Sequence, residues 1–356
     1  MNRRPLTTAA APMGRRRFLQ LTGLAGLAVG AAPILSACGS DDSEASADGT
    51  KQVAMQLSWI KNVEFAGEYF AIENGYWADA GLEVELIAGG AAGTGTEAGL
   101  DTGKVWVGTS TPDFAAPAIL QGLEAKTIAA TYQRSPFCIT SGVDNPISTP
   151  QDMVGKKIGV QDTNTLVFDA LLASNGLTRD DMEIVSVQFD PTPLSKGEVD
   201  GWVSYVTNEP LSLAANGFPN TTMLFADNGL PLVGESILIS QQAIDEERDL
   251  VKGYLLGLIK GWKDAISDHE GAAKLAVEKY GKDLNLDLQN QIDYNTAQSK
   301  LIQSDETAEN GILTISDEKI AQNIEALATA DIEIAAEDLF DMSLITEVYE
   351  ENPDLI

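Results

Sequence analysis

From residue 51 onward, short apolar runs and amphipathic runs take turns along the chain. KQVAMQLSW (51–59) reads as a strand. EFAGEYFAIENGYW (64–77) places Phe65, Tyr69, Ile72 and Tyr76 on one side of a helix, the spacing that lets one face meet a core. LEVELIAG (82–89) alternates as a half-buried strand does. A short helix over 96–101, a strand over 104–110, a helix over 113–122 and a strand over 125–132 follow. The pattern breaks at SPFCITSGVDNPISTP (135–150) and then resumes with strand KKIGVQD, helix 166–175, strands MEIVSVQ and VDGWVSY, helix 209–216 and strand TTMLFA. After ESILIS (235–240) the spacing is almost wholly helical, to about residue 349. Strands alternating with helices imply parallel sheets covered on both faces. The helical tail must pack on something already built.

An internal echo points to two similar halves: LDTGKV (100–105) and LSKGEV (194–199) each set a glycine just before an apolar strand. The expected architecture is α/β with two lobes. The first lobe takes residues 53–140 and 234–356, and the second takes 141–233, with crossings near Ser141–Asn145 and Gly229–Gly234. In open α/β sheets ligands bind beyond the carboxyl ends of the strands. That rule selects Trp59, Asn62, Thr94, Thr109 and Ser110 in the first lobe, with Tyr132 and Arg134 at its last strand. In the second it selects Asp162, Tyr205, Asn208, Glu209 and Asp227.

The first 52 residues follow another logic. Arg15-Arg16 and Phe18-Leu19 open a cationic segment, an apolar stretch follows, and LSAC ends it at Cys38. This reads as an export signal over 1–37, of the twin-arginine type, closed by a lipobox whose Cys38 becomes the lipidated first residue of the mature protein. The small, acidic stretch 38–52 cannot bury enough apolar surface to fold and reads as a flexible tether. The expected location is extracytoplasmic, on the cell membrane through the lipid anchor.

Charge sharpens this picture. The 356 residues carry a formal charge of −30, and loss of the five signal arginines takes the mature chain to −35. Nucleic acid and anionic lipid surfaces are poor partners for such a protein. Cys138 is the one cysteine left, in the apolar run PFCITSG, so it reads as a buried thiol without a disulfide partner. His269 is the single histidine and reads as structural, which leaves no ordinary metal cluster or catalytic triad to assemble. AGGAAGTGT (88–96) lacks the spacing of a phosphate-binding loop and reads as a turn. No cofactor is expected, nor catalysis.

The candidates' chemistry favours a flat ring. Trp59, Tyr132 and Tyr205 can stack on one. Glu209 can accept from ring N–H groups, and Asn62 and Asn208 can both donate and accept. Arg134 is the only mature-chain arginine at a strand end, and it keeps an oxyanion in play.

Residues 55–86 resemble the opening of solute-binding proteins of ABC importers for thiamine-precursor pyrimidines, riboflavin, nitrate and sulfonates. The resemblance rests on Leu57, Trp59, Asn62, Gly67, Tyr69, Ala71, Gly75, Tyr76, Trp77, Gly81, Leu82 and Val84. PQDMVGKKIGV (150–160) is similar to the family's second-lobe opening. GEVDGWVSYVTNEPLSLAANG (197–217) resembles the segment with an Asn-Glu-Pro turn in its pyrimidine and riboflavin branch. The resemblance implies a type II periplasmic-binding-protein fold that closes on a small solute in an interlobe cleft. It implies a monomer that works with the permease subunits of an ABC importer. The implied solute is a pyrimidine precursor or a flavin, with nitrate, sulfonate or taurine as the alternative. The family also holds a pyrimidine synthase. Phe65 stands where that enzyme has its histidine and Lys61 where it has a proline, and no cysteine cluster accompanies them. Phe65 therefore joins the candidate site residues as a binder, not a catalyst.

Overall fold

The computed structural model describes residues 49–90 and 95–356. The signal segment 1–37, the lipidation site Cys38, most of the tether and Thr94 lie outside the described residues.

Among the described residues ten strands form two five-stranded sheets. The first contains β1 (Lys51–Gln56), β2 (Leu82–Ile87), β3 (Val107–Ser110), β4 (Ala125–Tyr132) and β10 (Gly234–Ser240), in the order β2-β1-β3-β10-β4. The second contains β5 (Phe137–Gly142), β6 (Lys157–Gln161), β7 (Glu183–Val187), β8 (Gly201–Tyr205) and β9 (Asn220–Leu224), in the order β7-β6-β8-β5-β9. The two orders are the same pattern. In each sheet the next-to-last strand is antiparallel to its neighbours, and it is the strand that has just arrived from the other sheet. The segments LDTGKV and LSKGEV lead into β3 and β8, which occupy equivalent places.

The first crossing differs from the expected one. Residues 137–142, within the stretch read as a break, form β5 of the second sheet, so the chain crosses at 133–136 and not at 141–145. β5 is buried over Phe137–Ser141, so both of its faces are apolar or small and no alternation marks it as a strand. The return crossing runs from Leu224 to Gly234. The two crossings lie side by side, and the Ser135 N–H donates to the Leu232 carbonyl at 2.7 Å.

One face of the first sheet packs on helices Ala66–Glu73, Arg248–Ser267, Leu288–Ile302 and Ser343–Glu351. Helices Ala66–Glu73 and Arg248–Ser267 cross closely because Gly261 lies against the Gly67 carbonyl and Trp262 covers Gly67; a Cβ at either glycine would collide. A second apolar cluster runs from the other face of this sheet into the second sheet. It includes Ile139, Ile158 and Phe168 of the second lobe and Ala326 and Leu327 of the tail. The helical tail thus serves both lobes. No helix among the described residues is long and apolar enough to cross a membrane.

Candidate ligand-binding site

The two sheets face each other across a cavity of about 340 Å³. Its wall follows from topology. Parallel strands bring their carboxyl ends to it: Leu57–Trp59 after β1, Gly89 and Gly90 after β2, Thr109–Thr111 at β3, Thr163 and Asn164 after β6, and Ser204–Tyr205 at β8. The two antiparallel strands bring their amino ends to the same edge. Ser236 pairs with Ser110 and Phe137 with Tyr205, which sets Glu235 and Phe137 on the wall. Phe189 from the loop after β7 and Tyr294 from helix Leu288–Ile302 complete it.

Short polar contacts hold this edge. The Ser58 N–H donates to Thr109 Oγ1 at 2.7 Å, and Thr96 Oγ1 donates to the Thr109 carbonyl at 2.6 Å. Gly89 donates its N–H to the Trp59 carbonyl at 2.8 Å and packs so tightly on the Leu57 carbonyl that any Cβ would clash. Trp59 meets Phe189 of the opposite lobe edge-on, with ring centroids 4.5 Å apart. Tyr205 meets Phe137 at 4.6 Å in a T-shaped contact.

Four carboxyls line the cavity: Glu64, Glu97, Glu209 and Glu235. None of the described lining residues is Lys, Arg or His. Glu209 caps the turn after β8 by accepting the Tyr205 N–H at 2.9 Å, and burial pushes its pKa up to about 7 against that hydrogen bond. Burial first, then the neighbouring Glu235 carboxyl, push Glu64 well above the ordinary range. Burial also raises Glu235, offset by hydrogen bonds that include Ser58 Oγ donating at 2.9 Å. Among the described residues no grouping of His, Cys, Asp and Glu has the geometry to hold a metal ion.

Of the residues selected from sequence, Trp59, Thr109, Ser110, Tyr205, Asn208 and Glu209 are brought together on this wall. The other described candidates stand elsewhere. Phe65, 1% exposed, is packed in the first core. Tyr132 ends β4 but points to its helix-covered face, where its hydroxyl donates to Gln298 Oε1 at 2.6 Å. Asn62 is buried behind the wall, and its Oδ1 accepts the Glu64 N–H at 3.0 Å, so it shapes the turn that carries Glu64. Arg134 and Asp227 pair with each other on the exposed surface. Asp162 is exposed and accepts from Ser186 Oγ at 2.8 Å. Cys138 is buried, and burial pushes its thiol up, so it stays protonated. His269 Nδ1 lies 2.9 Å from Asn295 Nδ2 within the helical tail.

The sequence reading missed Glu64, Glu235, Phe137, Phe189 and Tyr294. The strand-end rule reaches Glu235 and Phe137 once β5 and β10 are known to be antiparallel. Glu64 is one residue from Phe65, on the opposite side of the turn Val63–Phe65.

Known proteins carry the same organisation. The chain is 27% identical over 233 residues to a riboflavin-binding protein, RibY, of Chloroflexus aurantiacus; the match covers 64% of this chain and 66%, just under two thirds, of that protein. It is 24% identical over 241 residues to a formylaminopyrimidine-binding protein of Halalkalibacterium halodurans, covering 63% and 69%. Its fold superposes on the periplasmic aliphatic sulphonate binding protein SsuA of Escherichia coli with a TM-score of 0.60 at 15% identity, covering 79% of this chain and 85% of that one. This is the periplasmic-binding-protein architecture. Residues 62–272, more than half of the chain, match the family model described as NMT1/THI5 like, and the chain belongs to that family.

Proposed function

We propose that this chain captures a small, nitrogen-rich aromatic solute between its lobes and delivers it to the permease subunits of an ABC importer. In this reading it works outside the cytoplasmic membrane, held there by a lipid on Cys38, and binds without turnover. The observation that carries the reading is the charge on the cavity wall, with four glutamates and no cation among the described lining residues. An oxyanion entering there would meet acceptors and no counter-charge, whereas sulfonate and nitrate capture favours arginine forks. Arg134, the candidate for that role, is engaged with Asp227 on the surface.

A flat ring with N–H donors suits the wall. Trp59, Tyr205 and Phe189 offer aromatic faces and edges, and Glu209 keeps an oxygen for a ring amino or imide group. A cavity of 340 Å³ is at the low end of the roughly 300–1,000 Å³ typical of ligand sites, the scale of one or a few fused rings. The solutes named for the riboflavin and formylaminopyrimidine relatives belong to this class.

Calorimetry of wild type, Glu209→Gln, Trp59→Ala and Arg134→Ala against a pyrimidine, a flavin, taurine and nitrate tests the reading. Heterocycle binding weakened by the first two substitutions and indifferent to the third is expected. Oxyanion binding that is tightened by Glu209→Gln and abolished by Arg134→Ala would replace it. The anchor has a separate test: Cys38→Ser should release the protein from membranes during detergent-free washing, and a variant that stays bound refutes the lipid.

A further inference from the structure

Two acids meet on the cavity wall. Glu64 lies in the turn Val63–Phe65 and Glu235 at the start of β10, and each is 3% exposed. Their carboxyls are close enough to influence each other's ionisation. Ser58 fixes one oxygen of Glu235, but Glu235 Oε1 and Glu64 Oε1 take no bond from an N–H or hydroxyl donor of the protein, and only a proton carried by the pair itself joins the two carboxyls. Tyr294 OH, on the same wall, lies beside Glu64. Buried carboxyls that only a shared proton satisfies are costly, and native folds keep few such groups without a reason. Glu235 moreover holds its place with φ at 45°, a left-handed conformation that disfavours any residue with a Cβ. Backbone strain of this kind gathers at ligand sites.

We propose that Glu64 and Glu235 form a two-acceptor clamp that selects ligands presenting adjacent N–H donors, best met by a planar cation of the amidine type. This rests on the heterocycle reading and specifies its donor edge. Two oxygens on separate elements can each take one N–H of an amidine, or of an amino–ring-nitrogen edge whose ring nitrogen is protonated, while Glu209, from the other lobe, reads a second edge. The ligand supplies the positive charge that the wall lacks. In the empty cavity the pair retains a proton, because two adjacent buried carboxylates resist ionising together. An incoming cation displaces that proton to solvent, leaving both oxygens as acceptors. The groups that face the pair reinforce this arrangement. Glu209 and Glu68 add negative charge when ionised. Tyr69, Tyr132, Tyr205 and Tyr294 stay neutral, since burial drives their hydroxyls upward.

The test is titration calorimetry on the full chain with three probes: benzamidine, a hydroxymethyl aminopyrimidine, and the oxo analogue of that pyrimidine. Each is run in two buffers of different ionisation enthalpy. Benzamidine and the aminopyrimidine should bind roughly 10–100-fold tighter than the oxo analogue, whose lactam sets a carbonyl acceptor beside its ring N–H. Buffer dependence should report about one proton released per benzamidine bound. Glu64→Gln and Glu235→Gln, each checked for folding by circular dichroism, should each collapse the preference to within roughly threefold. The wild-type proton count supports or opposes the clamp even where a variant does not fold. Equal binding of amino and oxo probes, with a ratio that neither substitution moves, overturns the clamp and leaves the heterocycle reading standing. Binding of the oxo analogue alone does the same. Failure of every probe to bind overturns both.

Discussion

Glu68 should make the protein less stable as the pH rises toward neutrality. It sits in helix Ala66–Glu73, 1% exposed, with Oε2 unpartnered, and burial raises its pKa from an ordinary 4.5 to about 8. Between those two values the unfolded chain has lost the proton and the folded chain keeps it. The native state therefore binds more protons, and unfolding becomes easier as pH rises. One proton of difference corresponds to about 1.4 kcal/mol per pH unit, so a rise from about pH 5.5 to about pH 7.5 removes on the order of 2.5 kcal/mol through this group alone. Asp113, held at about 6, and Glu209, at about 7, act in the same direction over narrower windows. Urea denaturation of wild type and Glu68→Gln across this range isolates the Glu68 share. The variant should show a shallower decline, with the two curves converging or crossing toward higher pH. Curves that stay parallel across the range would mean that Glu68 titrates alike in both states, and the argument from burial would fail.

Three further outcomes follow from the geometry. Arg134→Ala should leave solute affinity unchanged and shift stability by less than about 1 kcal/mol, because its partner Asp227 is also exposed; calorimetry and urea melts check both. Tyr132→Phe strips the buried Gln298 Oε1 of its donor and should cost about 1–3 kcal/mol in urea melts, again with affinity intact. Phe189→Ala removes the ring that meets Trp59 across the cleft and should weaken solute binding roughly 2–12-fold, chiefly through faster dissociation; stopped-flow release at wild-type rates would count against an aromatic latch.

How much of this was legible in the sequence depends on what each residue's signal was. Trp59, Thr109, Tyr205 and Glu209 follow parallel strands with visible periodicity, and the strand-end rule found them. The same rule misplaced Tyr132, because a strand's last residue can face either side of the sheet and alternation does not say which side holds the cleft. Arg134 and Asp227 each stood near a strand end, but at the crossing between lobes they found each other. Glu235 and Phe137 were hidden because strand direction is a tertiary property: an antiparallel strand exposes its first residues where a parallel one exposes its last. Tyr294 reaches the wall from a helix far along the chain, which local spacing cannot announce. The helical tail was plain from its period, but its service to both lobes was not.

The insertion of β10 between β3 and β4 sets an order of assembly on the growing chain. β3 and β4 are made early, yet they are not neighbours in the sheet; the strand that separates them begins only at Gly234. The second sheet, by contrast, is encoded in one uninterrupted run from Phe137 to Leu224. It can be completed while the first still lacks β10, the strand that joins β4 to the rest, and most of the helices that cover it. A nascent chain stopped just short of residue 234 would therefore hold a finished inner lobe inside an open outer one, with two unpaired strand edges inviting association with other chains. The long-range pairings that close the outer sheet come last and favour slow maturation.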